Sequence, residues 1–318
     1  MDFEQDYQKF LGWNENIIMI WLLLITIIFI LLSVIILKYL INYQQDTNSQ
    51  KIHSYNYDLD TWAIITGATD GIGLEFAKQF YDKNWNLILV SRNQEKLENV
   101  ILEHFSNPNK ITTVIGYPLD YSRCKAEDFD LFYEQQLKNK KISVLINNVG
   151  TGYTSPEYMH LINRQLITDT CKVNIESTIF MTQIVIKRML QTTKKNFILN
   201  ISSASGAVET SPLISIYGAS KAFMNHWTTS MNTEYTGRIT FEVLTPFYIT
   251  TKLSGYTEES LSIPSAKNYV EHAMCLIANG RLSQTGYYYH TFLLQILKCL
   301  PLKYRSEYIF NAYNKFKK

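Results

Sequence analysis

From residue 61 to residue 290, short apolar runs alternate with stretches in which apolar residues recur at helical spacing. The runs that predict strands are residues 62–65, 86–90, 111–117, 143–146, 196–201, 239–244 and 287–290. The stretches that predict helices include residues 74–82, 129–137, 166–191 and 265–277. This alternation predicts an α/β fold, in which a parallel sheet is covered by helices on both faces.

A continuous apolar run precedes this domain at residues 17–37, and it carries no charged residue. At about 1.5 Å per residue, a helix of this length would span roughly 30 Å, the thickness of a bilayer core. We therefore predict a transmembrane anchor at residues 17–40, between an N-terminal tail at 1–16 and a linker at 41–60. The run is too long for a cleaved signal peptide, and the residues in front of it are acidic.

The chain has 318 residues, a formal net charge of +2 and 46% hydrophobic residues. Once the predicted anchor is set aside, enough chain remains for one large α/β domain rather than two. The near-neutral charge gives no indication of nucleic-acid binding. The cysteines form no metal-binding or disulfide pattern, which favours a reducing compartment; they are Cys124, Cys171, Cys275 and Cys299.

Glycines mark the turn between the first predicted strand and the helix that follows it. Gly67 permits a tight turn, Gly71 lets backbone approach a pyrophosphate, and Gly73 allows close packing of helix on strand. The start of the helix then offers free N–H groups to phosphate. An ordinary turn can also carry such glycines, but the position between strand and helix favours a dinucleotide site. The turn residues expected to bind the cofactor are Gly67, Thr69, Asp70, Gly71, Ile72 and Gly73.

Arg92 follows the second predicted strand, at the position where an acid would bind a ribose hydroxyl of NAD. An arginine there suits the 2′-phosphate of NADP instead, so the sequence favours NADPH as the cofactor. A solvated surface arginine is the alternative. Asp120, after the third predicted strand, could hydrogen-bond an adenine amine.

Tyr217 and Lys221 stand four residues apart in a predicted helix, so their side chains share one face. A phenol, with a reference pKa of about 10, is a poor acid or base near neutral pH. An ammonium one turn away favours the phenolate and lowers that pKa. The pair is therefore a candidate acid/base device for a carbonyl or an alcohol, although chance can also produce this spacing. Asn174 lies in a long apolar stretch and needs hydrogen-bond partners if it is buried.

Five motifs occur in order along the chain: TGATDGIG, NNVG, VNIES, NISSASG and YGASK. Together they resemble the short-chain dehydrogenase/reductase family over about residues 61–290. The resemblance implies a Rossmann-like, doubly wound parallel sheet of seven strands. It also implies a catalytic tetrad of Asn174, Ser203, Tyr217 and Lys221, in which Tyr217 exchanges a proton with the substrate oxygen.

The same resemblance implies a role for each remaining member of the tetrad. Lys221 would lower the pKa of Tyr217 and hold the nicotinamide ribose, Ser203 would hydrogen-bond the carbonyl, and Asn174 would keep a water in a proton relay. The family's motifs further imply cofactor contacts outside the glycine turn. These contacts fall on Asn147, Asn148, Tyr217, Lys221, Pro246 and Ile249.

One departure from the family pattern concerns the serine. The family usually places it thirteen positions before the tyrosine, and Ala204 occupies that position here. NISSASG aligns well if Ser203 is the matching serine, which implies a one-residue insertion within residues 207–216. A loop can absorb such an insertion. Otherwise Ser205 could substitute for Ser203, or the site could be impaired.

The anchor, the SRNQEKL and TPFYITTK segments and a basic tail resemble one branch of the family. That branch contains the very-long-chain 3-oxoacyl-CoA reductases and the related 17-beta-hydroxysteroid dehydrogenases. It implies an enzyme of the endoplasmic reticulum membrane that reduces 3-oxoacyl-CoA with NADPH during fatty-acid elongation. Lys38 and Lys51 behind the apolar run, against Lys9 before it, favour a cytosolic catalytic domain.

Several alternatives stay open at this point. The substrate could be a 17-ketosteroid or another lipid ketone, and the chain could be a catalytically silent NADP-binding membrane scaffold. Relatives commonly pair through their long helices, so a homodimer is also open. Residues 291–318 fit either a basic amphipathic segment on a membrane surface or a helix packed on the domain. Residues 253–264 fit a loop that closes over substrate or a plain surface connection.

Overall fold

The centre of the fold is a single parallel β-sheet. The structure is a computed structural model, and it describes residues 17, 19–27, 60–192, 195–277 and 283–317. Within these residues the strands are β1 (Thr61–Thr66), β2 (Asn86–Ser91), β3 (Val114–Pro118), β4 (Lys141–Asn147), β5 (Asn196–Ile201), β6 (Ile239–Leu244) and the two-residue β7 (Ser283–Gln284). Neighbouring strands all pair in parallel, in the order β3-β2-β1-β4-β5-β6-β7.

Helices connect the strands and cover both faces of the sheet. In the described part of the chain they are α1 (Gly71–Asp82), α2 (Gln94–His104), α3 (Ala126–Phe132), α4 (Arg164–Cys171), α5 (Ser177–Met189), α6 (Ala204–Ala207), α7 (Ser215–Glu234), α8 (Ala266–Leu276), α9 (Tyr288–Cys299) and α10 (Leu302–Asn314). A π-helical turn, Tyr133–Leu137, continues α3, and another, Lys172–Glu176, joins α4 to α5.

Side chains of alternate residues along each strand point to opposite faces of the sheet, where they pack into two separate hydrophobic cores. In β1, Ala63 and Ile65 pack with α1, α2 and α8, whereas Ile64 packs with α3 and α5 on the opposite face. Because both faces are buried, the strands are apolar throughout rather than alternating. The sheet is therefore a firm platform for the loops at its edge.

The direction of the strand order reverses between β1 and β4, which lie side by side in the sheet. The chain continues from β1 to β2 on one side and from β4 to β5 on the other. The loops that follow β1 and β4 therefore diverge and leave a crevice, which is where open α/β sheets bind ligands. The motifs after β1, β4, β5 and β6 all lie at this edge, because the strands are parallel.

The strand predicted at residues 287–290 is wrong. The structure ends the sheet at Ser283–Gln284, and α9 begins at Tyr288. Gly286 turns the chain between the two, with a φ of +78° that favours glycine. Helical spacing of apolar residues then buries one face of α9, including Leu294.

The chain divides into two units, Met1–Ser49 and Gln50–Lys318, of which the second holds the sheet. In the first unit, residues 19–27 are helical and their side chains are exposed. No helix among the described residues has both the length and the apolar character needed to cross a membrane. Most of the predicted anchor, its N-terminal tail and nearly all of the predicted linker lie outside the described residues.

The C-terminal segment forms two helices, α9 and α10, on the surface of the second unit. Leu294 of α9 and Ile309 of α10 pack against Val208. The other side of α9 carries Phe292 and Ile296, which are 38% and 42% exposed. One face of this segment is thus packed on the domain, and another is exposed and apolar.

Candidate active site

Ser203 and Tyr217 meet at the carboxyl edge of the sheet, just after β5 and in the first turn of α7. The Ser203 side chain caps α6 and lies beside the Tyr217 phenol, close enough to lower the pKa of that phenol. Its oxygen accepts a hydrogen bond of 3.1 Å from the Ser205 amide, so its own hydrogen is available to the phenol. The Ser205 hydroxyl points elsewhere and lies 3.3 Å from the Tyr313 hydroxyl. The structure therefore brings Ser203 to Tyr217 in spite of the unusual spacing in sequence.

Lys221 lies one turn after Tyr217 on α7 and is 6% exposed. Its ammonium lies 5.8 Å from the centre of the Tyr217 ring and donates a hydrogen bond of 2.9 Å to the Ile201 carbonyl. Burial lowers the pKa of Lys221 to about 8, because the charged form is poorly solvated there.

The pKa of Tyr217 is raised overall in this arrangement, although an ammonium one turn away favours the phenolate. Burial raises the pKa of the phenol, the neighbouring Ser203 hydroxyl opposes that shift, and the nearby Tyr313 adds to it. The ammonium of Lys221 is directed at the Ile201 carbonyl, so burial dominates at the phenol. Tyr217 therefore stays protonated at neutral pH, which is the form that a proton donor needs.

Asn174 lies in the π-helical turn between α4 and α5 and is 1% exposed. Its amide nitrogen donates to the Thr151 carbonyl and to the Ser220 hydroxyl, both at 2.9 Å, and its oxygen accepts from the Thr151 amide at 2.8 Å. Ser220 in turn donates to the Tyr217 carbonyl at 2.7 Å. The prediction that a buried Asn174 has hydrogen-bond partners is confirmed. These bonds join the loop after β4 to the first turns of α7.

The glycine turn after β1 is shaped by close approaches that exclude side chains. Gly67 and Gly71 have φ values of +65° and +51°. A Cβ on Gly73 would lie 2.3 Å from the Gly67 carbonyl oxygen. Asn148 braces the turn by donating to the carbonyls of Thr66 and Gly67 at 3.0 and 3.2 Å. Bare backbone thus meets the N-terminus of α1, an arrangement that fits the phosphates of a dinucleotide.

Asp70 caps α1 and attracts two lysines from distant segments. Its carboxylate accepts from the Gly71 amide at 2.8 Å and pairs with Lys96 at 3.1 Å and with Lys252 at 2.9 Å. Partial burial opposes ionisation, but Lys252 and Lys96 outweigh it and lower the pKa of Asp70. With two ammonium groups around one carboxylate, this rim of the glycine turn carries net positive charge and suits an anion.

Arg92 and Asp120 lie close together at the carboxyl ends of β2 and β3. Arg92 is exposed, and its charge acts on Asp120. The Asp120 carboxylate accepts from the Ser122 hydroxyl at 2.7 Å and pairs with Arg123 at 3.8 Å. Burial works against ionisation of Asp120, but Ser122 and the two arginines lower its pKa overall. The residues expected to meet the ribose and the adenine are thus brought together.

Two other predicted cofactor residues are turned into the protein interior. The Asn147 amide donates to Thr182 at 2.9 Å and to the Asn200 side chain at 2.8 Å. Thr69 is 8% exposed, and its hydroxyl lies 3.0 Å from that of Ser91. These bonds fix β4 and the glycine turn to their neighbours.

Pro246 and Ile249 lie in the segment after β6, at the same edge of the sheet. The Pro246 carbonyl accepts a hydrogen bond of 2.8 Å from the Ala204 amide, which ties this segment to α6. Ile249 is 3% exposed and belongs to the core on the α1 side of the sheet, where Ile72 also packs. These contacts hold the segment after β6 against α6 and the core, at the edge of the sheet where the site lies.

Sequence reasoning missed four residues of this region: Lys96, Lys252, Tyr248 and Tyr313. Lys96 and Lys252 occur within segments already singled out, and their charge beside a predicted phosphate site was the available signal. Tyr313 lies far along the chain from the motifs, and only the packing of α10 brings it to the site.

The short chain dehydrogenase family matches residues 61–261 of the chain. The chain is similar to the very-long-chain 3-oxoacyl-CoA reductase of Anas platyrhynchos, with 35% identity over 252 residues that cover 76% of this chain and 77% of the relative. It is also similar to the inactive hydroxysteroid dehydrogenase-like protein 1 of Homo sapiens, with 32% identity over 76% of this chain and 72% of the relative.

Among solved structures, a short-chain dehydrogenase from Sphingobium yanoikuyae in complex with NADPH shares the fold, with a TM-score of 0.61 and 23% identity over 70% of this chain and 86% of that one. One of the two relatives is named as a reductase and the other as inactive, so the reaction must be argued from the side chains of this site. The matched region runs from β1 beyond β6 and includes every motif described above. The chain belongs to the short chain dehydrogenase family of oxidoreductases.

Proposed function

We propose that the chain uses NADPH to reduce the ketone of a lipid, and that the lipid is a 3-oxoacyl-CoA, which becomes 3-hydroxyacyl-CoA during fatty-acid elongation. The observation that carries the proposal is the position of the Ser203 hydroxyl beside the Tyr217 phenol at the crevice of the sheet. Ser203 and Tyr217 are called the catalytic pair from here on. Two adjacent hydroxyls of this kind can both donate to one carbonyl oxygen.

Bound NADPH would supply a hydride to the carbonyl carbon. As negative charge grows on the carbonyl oxygen, the two hydroxyls of the catalytic pair stabilise it. Tyr217, which is protonated at neutral pH, gives its proton to this oxygen. Lys221, one turn away, then stabilises the phenolate that is left. Because the amide of Asn174 is engaged by protein groups, we assign it a positioning role.

The choice of NADPH over NADH rests on Arg92. Its exposed guanidinium follows β2, and Lys96 lies one helical turn further on. An arginine binds the two charged oxygens of a 2′-phosphate with matched geometry, which a ribose hydroxyl does not offer. The solved relative from Sphingobium yanoikuyae, which binds NADPH, agrees with this choice.

The lipid substrate is supported by apolar side chains on the loop between β6 and α8. Leu253 and Leu261 are 61% and 58% exposed, so their side chains are available to contact an apolar ligand. The name of the Anas platyrhynchos relative favours a 3-oxoacyl-CoA. A hydroxysteroid is the second candidate, because the human relative is named as hydroxysteroid dehydrogenase-like, although it is also named as inactive.

We further propose that residues 17–40 anchor the chain in the endoplasmic reticulum membrane with the reductase domain in the cytosol. An apolar run long enough to span a bilayer supports the anchor. On α9, exposed Phe292 and Ile296 next to Lys298 suit an anionic membrane surface. Retention of the protein in carbonate-washed membranes, with release on deletion of residues 1–40, tests the anchor.

We also propose a homodimer through α5 and α7, which sedimentation in detergent tests.

The substrate proposal is tested with the full-length protein in detergent, by following the loss of NADPH absorbance. A long-chain 3-oxoacyl-CoA and a 17-ketosteroid are compared, and a saturated acyl-CoA without the 3-oxo group is the matched control. We expect turnover of the 3-oxoacyl-CoA and none of the control. Turnover of the steroid alone would rule out the acyl-CoA, and NADPH binding without any turnover would favour a silent scaffold.

A further inference from the structure

The start of helix α10 is held to the segment that follows α6. Arg305 is 6% exposed, pairs with Glu209 at 3.1 Å and donates to the Leu300 carbonyl at 2.9 Å. One turn later, Ile309 packs against Val208 in a small apolar cluster. A buried arginine with two partners and an apolar contact fix this end of the helix.

The residues just after α10 reach a different segment, the one that follows β4. Lys317 pairs with Glu157 at 3.0 Å and lies 4.0 Å from the centre of the Tyr158 ring. The same segment contains Gly152, where an added Cβ would lie 3.2 Å from the Tyr217 ring. Helix α10 therefore bridges the two segments that flank Tyr217, and its last turn is fixed near the catalytic pair.

Tyr313 extends from this last turn into a group of hydroxyls. Its oxygen lies 3.3 Å from that of Ser205, two residues after Ser203, and its side chain lies beside that of Tyr248. Burial raises the pKa of both Tyr217 and Tyr248, and the nearby Tyr313 adds to both shifts, so the Tyr313 hydroxyl lies close to the catalytic pair. Tyr248 is 38% exposed, which leaves this group of hydroxyls open to a ligand on one side.

We propose that Tyr313 and Tyr248 form a second oxygen-binding position, which takes the thioester carbonyl of a 3-oxoacyl substrate while the catalytic pair holds the ketone. The proposal rests on the proposed function, because it concerns the substrate of the same site. A 3-oxoacyl thioester carries two carbonyl oxygens separated by one methylene carbon, so both oxygens need donors when they leave water. A simple ketone has only the first oxygen. Tyr313 and Tyr248 are thus specificity-determining residues for a 1,3-dicarbonyl.

The test compares two substrates on the full-length Tyr313→Phe variant with NADPH. One is a long-chain 3-oxoacyl thioester, and the other is the methyl ketone of the same chain, which lacks the thioester oxygen. We expect kcat/KM for the thioester to fall about tenfold, mainly through KM, since one neutral hydrogen bond is lost in ground state and transition state alike. The methyl ketone should change less than about twofold. If the ketone is not turned over, its inhibition constant against the thioester replaces kcat/KM.

Two further variants separate binding from structure. Tyr308→Phe is the matched control, because Tyr308 lies on the exposed side of the same helix and is 62% exposed; it should leave both substrates unchanged. Tyr248→Phe should reproduce the selective loss. An equal loss with both substrates, or no loss, in Tyr313→Phe overturns the second position. Absence of thioester turnover in the unmodified protein overturns the proposed function instead, so the two failures are distinguishable.

Discussion

The amide nitrogen of Asn174 lies 2.9 Å from the hydroxyl of Ser220. That hydroxyl donates to the main-chain carbonyl of Tyr217 at 2.7 Å, so a buried side chain outside α7 fixes the turn that carries the phenol. The same amide also holds both polar groups of the Thr151 main chain. The loop after β4 and the start of α7 are thereby coupled, and the position of Tyr217 depends on both.

Replacement of Asn174 by alanine removes the bonds of its side chain to the Thr151 amide, the Thr151 carbonyl and the Ser220 hydroxyl. Asn174→Ala should lower the free energy of unfolding by about 2–3 kcal/mol, because the polar groups of Thr151 and Ser220 lose a buried partner. Urea denaturation measures the change, and Asn109→Ala, in an exposed loop, should alter stability by less than about 0.5 kcal/mol. Equal stability of the two variants would contradict the positioning role.

The position of the Ser203 hydroxyl beside the phenol predicts a difference between two nearby serines. Ser203→Ala should lower kcat about 100- to 1000-fold, as expected for the loss of one donor to a developing oxyanion. Ser205→Ala should lower it no more than about tenfold, because Ser205 contacts Tyr313 rather than Tyr217. Steady-state oxidation of NADPH measures both. A larger loss in Ser205→Ala would mean that Ser205 is the working serine.

Arg92 should control the choice between the two nicotinamide cofactors. Arg92→Ala is expected to weaken NADPH binding about 10- to 100-fold and to leave NADH binding almost unchanged, because only NADPH carries the 2′-phosphate. Arg123→Ala is the matched control, since Arg123 is a second arginine beside Asp120, with which it pairs, and is 88% exposed. Fluorescence titration with each cofactor measures the constants, and equal weakening of both would refute the assignment.

The pKa of Lys221 sets a limit on the pH range of the reduction. With a pKa of about 8, Lys221 carries its charge below that pH and loses it above. Because the charge stabilises the phenolate that forms when Tyr217 gives up its proton, kcat/KM for reduction should fall about tenfold per pH unit above about pH 8. A profile that stays flat to about pH 10 would exclude this role.

The sequence was sufficient to predict that the motif residues come together, because the order of parallel strands places them at one edge of the sheet. Gly67, Asn148, Ser203 and Pro246 each lie within two residues of the end of a strand, and parallel strands bring such positions to one edge. Helical spacing placed Lys221 on the same face as Tyr217. These relations are local in sequence or follow from strand order alone.

Other features of the site depend on tertiary packing, which the spacing of residues along the sequence does not predict. The sequence does not decide whether Ser203 or Ser205 lies beside Tyr217, since the answer depends on how the loop accommodates a one-residue insertion. The sign of the pKa shift of Tyr217 follows from its burial, and the partner of Lys221 is a main-chain carbonyl. Tyr313 reaches the site only because α10 packs across it. The helix that replaces the strand predicted at 287–290 follows from the turn at Gly286.

The most direct measurement of the central claim is turnover and cofactor binding by Tyr217→Phe. The variant keeps the ring that packs against Gly152 and loses only the phenolic oxygen. We predict that oxidation of NADPH by a long-chain 3-oxoacyl-CoA falls by at least about 1000-fold, while the dissociation constant for NADPH stays within about twofold. Turnover above about a tenth of the unmodified protein would show that the proton comes from another group.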